Sequence, residues 1–264
     1  MEYDEAADVA RHRDEVTGLA GLVKHFEWKS EGYELGIDIG GGEGLHAPWI
    51  LDFVDRLIIS DIVKFRKAKE GLHAHEIRNK LERYDVDLDL SRVEFHYADA
   101  MDLPYKSNLF DFAISINAFE HIPDPGKALA EILRVTKSGA LIIIQFDPLW
   151  NSPFGHHLPH LVTEPWAHVI NSEEDFENII LENGGSETDI QIFRNDMNGR
   201  PFEYYNELFA KNFKHFTRYN FNYWAKNEEE EPNMSHPNFQ QARDMGYSEE
   251  NLIVRGVQFV GLRK

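Results

Sequence analysis

Residues 36–44 read Gly-Ile-Asp-Ile-Gly-Gly-Gly-Glu-Gly, so that Asp38 is followed by Gly40, Gly42 and Gly44 at alternate positions just after the apolar start of a strand. Glycine has no Cβ and tolerates positive φ, so a strand running into such a loop brings bare backbone against a ligand. The helix that follows then points its N-terminus at that ligand.

The rest of the chain repeats the strand-then-helix rhythm expected of a parallel sheet covered on both faces. Strands are expected near 33–39, at Leu57–Ser60 ending on Asp61, at 93–97, 110–116, 140–146 and 188–194, and at 252–262. Helices are expected over 5–25, from about 45, and over 63–84. Asp124 and Pro125 start another, which Gly139 ends, and Ser172 caps one that runs to Leu181. The fold class that follows is a doubly wound α/β domain on a mostly parallel seven-stranded sheet, with residues 1–264 forming one domain. Two aromatic stretches, 147–171 and 195–250, fall outside the alternation and are expected to form a cap that recognises substrate.

Composition removes several classes of function. Lys and Arg total 27 against 46 Asp and Glu, and a net charge of −19 opposes a nucleic-acid footprint. The chain has no cysteine, which excludes disulfides, thiolate metal sites and cysteine nucleophiles. The opening Met-Glu-Tyr-Asp-Glu is acidic where a secretory signal is basic and then apolar, and no apolar run approaches the roughly 20 residues that span a bilayer. The expected location is cytoplasmic.

Two ligands fit the glycine loop taken alone, since Gly42, Gly44 and Ala47 also satisfy the Gly-x-Gly-x-x-Ala fingerprint of dinucleotide-binding domains. The Asp-x-Gly-x-Gly-x-Gly spacing resembles the first motif of class I S-adenosylmethionine-dependent methyltransferases. Asp61, 17 residues after Gly44, suits a ribose in either case. A second acid, Asp99 after the third strand, favours the methyltransferase. The segment Phe110–Asp124, with Asn117-Ala118-Phe119-Glu120-His121 at its centre, is similar to the fourth-strand signature of type 11 methyltransferases related to the ubiquinone and menaquinone enzymes. The resemblance covers about residues 33–146. It implies that Asp38, Gly40, Gly42, Gly44 and the backbone near Asn117 hold the methionine portion of S-adenosylmethionine, Asp61 the ribose, and Asp99 with Ala100 the adenine, with Ile62 packed on the adenine face.

Methyl transfer from a sulfonium requires alignment and, for a hydroxyl acceptor, removal of a proton. His121 lies beyond the fourth strand, and histidine titrates near neutrality. His156 and His157, in the cluster His156-His157-x-x-His160 after the fifth strand, are further candidates, whereas Glu120 is expected to face solvent. No metal is expected: Pro159 interrupts the segment that would align His157 with His160 near Asp147. The segment Pro-Phe-Gly-His with the later Pro-Trp-x-His resembles methyltransferases of bacterial surface-glycan gene clusters, which implies a small polar or glycan acceptor. The expected reaction is methylation of an oxygen on such an acceptor, with no nucleic-acid partner and no membrane span. Nitrogen and carbon acceptors, a nicotinamide-dependent oxidoreductase, and a non-catalytic cofactor-binding module remain open at this point.

Overall fold

The computed structural model describes residues 4–23, 32–62, 72–213, 216–222 and 234–263. In chain order the elements are α1 (Glu5–Val23), β1 (Tyr33–Ile39), α2 (Ala47–Ile50), β2 (Val54–Asp61), α3 (Leu72–Glu82), β3 (Val93–Tyr97), β4 (Phe110–Ile116), α4 (Pro125–Val135) and β5 (Thr136–Phe146). There follow α5 (Ala167–Ile170), α6 (Glu173–Glu182), α7 (Glu187–Asn195), α8 (Phe202–Asn212), β6 (Phe216–Asn222), α9 (Pro237–Asp244), α10 (Glu249–Ile253) and β7 (Val254–Leu262).

The sheet has the order β3-β2-β1-β4-β5-β7-β6. Its first five strands run parallel, and β7 is antiparallel to both β5 and β6. Successive side chains of a strand point to opposite faces, and each face has its own core. Leu57, Ile59, Phe112, Ile114, Leu141 and Ile143 pack on one side with Val16 and Leu19 of α1 and Leu81 of α3. Ile37, Ile39, Ile58, Ala113, Ile142 and Ile144 pack on the other with Leu129 and Ile132 of α4 and Tyr205 and Phe209 of α8. Every residue of β4 is buried, Asp111 and Ser115 included, as befits a central strand covered on both faces.

Helix α4 shows how local chemistry sets an element. The Asp124 carboxylate accepts from the Lys127 amide at 3.0 Å and Pro125 occupies the first turn. Leu129 and Ile132 are fully buried one turn apart, each worth about 1.5–3 kcal/mol.

Three expectations change. Residues 188–194 are not a strand, because Ser186 and Asp189 form a capping box, and Ile190 and Phe193 bury on one helical face. The seventh strand is instead β6, taken from the 195–250 stretch. Gly139 does not end α4. The helix stops at Val135, Thr136 is already extended, and Gly139, with φ of +80°, lies within β5. The described part of the 63–84 helix is α3; Lys64, Arg66, Lys67, Lys69 and Glu70 lie outside the described residues, as do Trp224 and Glu228–Glu231.

Most of the aromatic side chains described in the two stretches are core. Tyr205, Phe209 and Phe213 pack against Phe146 and Phe259. Trp150, Phe176 and Phe193 build a second small core, and Trp166 and Phe239 a third. Of the rings expected to form a binding wall, Trp166, Tyr205, Phe209 and Phe213 are buried in these cores, where large aromatic surfaces gain most.

Candidate functional site

Sheet order reverses direction between β1 and β4, and open α/β sheets form ligand crevices at the carboxyl ends of the strands at such a point. A cavity of about 610 Å³ lies there. Gly40 and Gly42 border it after β1, Asp61 and Ile62 after β2, Asp99 and Ala100 after β3, and Asn117 and His121 after β4. Eight residues singled out from the sequence thus meet at one place. Ile62, a large apolar side chain 61% exposed, lines the cavity.

The loop is held open by its own backbone. Gly40, at φ of +71°, lies so close to Ala118 that a Cβ there would stand 2.4 Å from the Ala118 Cβ. The Asp61 carboxylate accepts from the Gly42 amide at 2.8 Å, and that of Asp99 accepts from the Met101 amide at 2.8 Å. Asn117 has φ of +50°, and its side chain donates to Glu15 of α1 at 3.0 Å.

Two motif residues lie behind the cavity. At Gly44 a Cβ would meet Phe95 at 2.7 Å and Ile59 at 2.8 Å, so this glycine is needed for packing. Asp38 is fully buried beneath the loop, and neither carboxylate oxygen has a hydrogen-bond partner. Burial, reinforced by the Asp61 charge, pushes its carboxyl up to about 7. An unpaired buried carboxylate is costly, and a cation arriving above it relieves that cost.

A second, polar cavity of about 570 Å³ shares Asn117 and His121 with the first. Its other walls are Arg11, Glu15, Glu120, Gln145, Asp147, His157 and Arg255. Arg255 pairs with Asp147 at 2.8 Å. His121 Nδ1 is 2.7 Å from the main-chain oxygen of Asp196, and His157 Nδ1 is 2.8 Å from the Asp196 carboxylate. A carbonyl and a carboxylate can only accept, so both imidazoles donate from Nδ1, and in its neutral form each ring carries its lone pair on Nε2. The rings stand 5.2 Å apart. The hydrogen bond from His157 holds the Asp196 carboxyl below its usual range.

Glu120 does not face solvent. It is 1% exposed, its carboxylate has no hydrogen-bond partner, and burial raises its carboxyl well above the usual range. Asn198 fastens the loop that carries it, the Asn198 side-chain amide donating to the carbonyls of Phe119 at 2.7 Å and Ile122 at 2.9 Å. His156 borders neither cavity. It is buried beside His168 and Phe176, its Nδ1 accepts from the Leu158 amide, and desolvation pushes it down to about 3, which keeps it neutral. Residues 151–163 form a succession of turns, so no helix face carries His157 and His160 together. Among the described residues, side chains with metal-binding atoms gather in threes at His121, His157 and Asp196, and at His12, Glu15 and His46.

Asp196, Glu15 and Arg11 were not foreseen. Asp196 lies just past α7 in a segment read as cap, and nothing in the pattern of α1 marks its face towards the cavity.

Residues 37–144 match a family described as a methyltransferase domain. An uncharacterized methyltransferase of Mycobacteroides abscessus is 31% identical over 123 residues, 46% of this chain and 42% of that one. Ajmaline N-methyltransferase of Rauvolfia serpentina is 46% identical over 54 residues, 20% of this chain and 19% of that protein. The chain thus spans less than half the length of these curated relatives. Among solved structures, phosphoethanolamine N-methyltransferase 2 of Haemonchus contortus, in complex with S-adenosyl-L-methionine, aligns with a TM-score of 0.52 at 16% identity, over 94% of this chain and 52% of that one.

Proposed function

We propose that this protein, whose residues 37–144 match a methyltransferase-domain family, transfers the methyl group of S-adenosylmethionine to an oxygen of a small polar, carbohydrate-like acceptor. The observation that carries the proposal is the cavity at the reversal point. It joins a bare glycine loop, two acids and an apolar wall in the order an amino acid, a ribose and a purine require.

The residues fit the cofactor. Gly40 and Gly42 offer backbone to its carboxylate end, Asp61 accepts from ribose hydroxyls, Asp99 accepts from the adenine amino group, and Ile62 covers the ring. Asp38 beneath the loop supplies the charge that balances the ammonium. When bound, the cofactor supplies an already activated methyl group on a sulfonium.

The acceptor occupies the second cavity, whose Arg, Glu, Asp and Gln side chains suit a molecule rich in hydroxyls. His121 borders both cavities and presents an Nε2 lone pair, so it takes the proton as the acceptor oxygen forms its bond to carbon. The C–S electron pair stays on sulfur. Oriented reactants recover roughly 7–11 kcal/mol of barrier, which is the main service such a site provides.

Calorimetric titration with S-adenosylhomocysteine, with NADH in parallel, tests the cofactor. Saturable binding of the first alone is expected, and binding of NADH alone overturns the proposal. Asp61→Ala is expected to weaken S-adenosylhomocysteine by about 1–3 kcal/mol, through lost ribose bonds and a freed Gly42 amide. An unchanged affinity removes Asp61 from the site.

Asp38 makes the affinity depend on pH. Below about 7 its carboxyl is protonated in the free protein, so neutralising a bound ammonium first requires expelling a proton. That costs about 1.4 kcal/mol per pH unit. Affinity is therefore expected to rise about tenfold per unit from pH 5 to 7 and to level off above. Asp38→Asn should flatten the profile, and a slope that survives this substitution assigns the proton elsewhere. Folding follows the opposite sign: the folded-state value lies above the ordinary 3.8, so this group costs nothing below about pH 4 and costs most above about 7.

A further inference from the structure

We propose that Glu120, His121 and His157 hold a divalent transition-metal cation in the wall of the second cavity, with Asp196 orienting the two imidazoles. The argument is one of donors and acceptors. Asp196 uses the Nδ1–H of both rings, at 2.7 Å through its carbonyl and 2.8 Å through its carboxylate. What remains is His121 Nε2, His157 Nε2 and the Glu120 carboxylate, which are all acceptors.

His157 Nε2 and both Glu120 oxygens are buried without a hydrogen-bond partner. Glu120 Oε1 stands 3.7 Å from His121 Nε2, too far for a hydrogen bond. Two ligands each about 2.1 Å from a common ion lie roughly 3–4 Å apart, so this separation leaves room for the ion. The two ring centres are 5.2 Å apart. The carboxylate that lies with both rings inside 4.8 Å is that of Asp196, whereas Glu120 joins through its 3.7 Å approach to His121 Nε2. Metal-bound histidines characteristically donate their other N–H to a carboxylate or carbonyl, which is the arrangement Asp196 creates.

The second cluster, at His12, Glu15 and His46, lacks this property. Its atoms are already used: His46 Nε2 meets Glu15 at 2.8 Å, the other Glu15 oxygen accepts from Asn117, and His12 Nδ1 meets the Asp8 carbonyl at 2.7 Å. Two imidazoles and a carboxylate suit Zn²⁺, Fe²⁺ or Mn²⁺ better than Ca²⁺.

The role of the ion rests on the methyl-transfer reading, although the site does not. A cation here lowers the pKa of an acceptor hydroxyl that reaches it. With the ion bound, His121 Nε2 is a ligand and no longer the base of the metal-free reaction: the proton passes to solvent water, the oxygen lone pair forms the bond to the methyl carbon, and the C–S pair stays on sulfur.

The test uses the full chain after chelator treatment, titrated calorimetrically with Zn²⁺ and separately with Mn²⁺. One saturable equivalent is expected, accompanied by a rise in melting temperature. Glu120→Gln and His157→Gln should each weaken binding at least tenfold, and Asp196→Asn by about 10–100-fold. Circular dichroism identifies any variant that misfolds, in which case the others carry the comparison. Absence of stoichiometric binding, or affinity unchanged in the folded variants, overturns the site. S-adenosylhomocysteine titrated into the same samples separates the two proposals. Metal binding without S-adenosylhomocysteine binding sinks the cofactor reading alone, and the reverse sinks the metal site alone.

Discussion

Gly40→Ala is expected to weaken S-adenosylhomocysteine binding by on the order of 30- to 1,000-fold while leaving the fold in place. Two costs combine. The added Cβ would stand 2.4 Å from the Cβ of Ala118, which no real pair of carbons tolerates, so the loop after β1 must move away from the loop after β4. Overpacking of this kind costs about 1–3 kcal/mol. The backbone there also has φ of +71°, where an L side chain adds about 1–2 kcal/mol. The two loops are the opposite lips of the first cavity, so the displacement falls on the bound cofactor. Calorimetry beside a thermal melt checks this: a normal melt with normal affinity would show that the lips do not clasp the cofactor.

His121→Ala is expected to lower turnover by about 10²–10⁴-fold, the usual contribution of a positioned acid–base group, with S-adenosylhomocysteine affinity changed only a few-fold. His121 is the titratable side chain that borders both cavities. Its loss removes the proton-accepting lone pair, or a ligand of the cation that replaces it, and leaves Asp61, Asp99 and the glycine loop untouched. His157→Ala should act in the same direction. The check is single-turnover methyl transfer with an acceptor identified from a panel of hydroxylated small molecules, alongside calorimetry. If both variants keep full activity, proton removal occurs elsewhere.

The donor side of this protein was legible in its sequence because its signals are local. The glycine loop, the acids at strand ends and the Asn117–His121 turn are each marked by a short local pattern, and parallel pairing brings them to one cavity. The acceptor side was not legible. Glu120 was expected in solvent because a charged residue beside a histidine after a strand usually is, yet Asn198, 78 positions later, folds over its loop and seals it. His156 and His157 are neighbours in sequence, but the backbone turns at His157 (φ of +61°) and sends one ring to the cavity and the other into apolar packing. The 188–194 stretch has strand-like residues, and only the reciprocal Ser186–Asp189 cap reveals the helix. Aromatic density suggested binding walls where the gain from burying the rings decides their place.

The two cavities differ in where their residues sit along the chain. Apart from Asp196, the first is built from positions 39–123, whereas the second gathers Arg11, Glu15, Asp147, His157 and Arg255 from segments outside residues 37–144. Apart from Asn117 and His121, which line both, substitutions in the second cavity therefore need not touch the first. In evolutionary terms the arrangement separates inheritance from invention: the donor half can stay constant through a lineage while the flanking segments drift towards new substrates. The same division gives protein engineers a chassis, with Arg11, Asp147 and Arg255 the first positions to randomise.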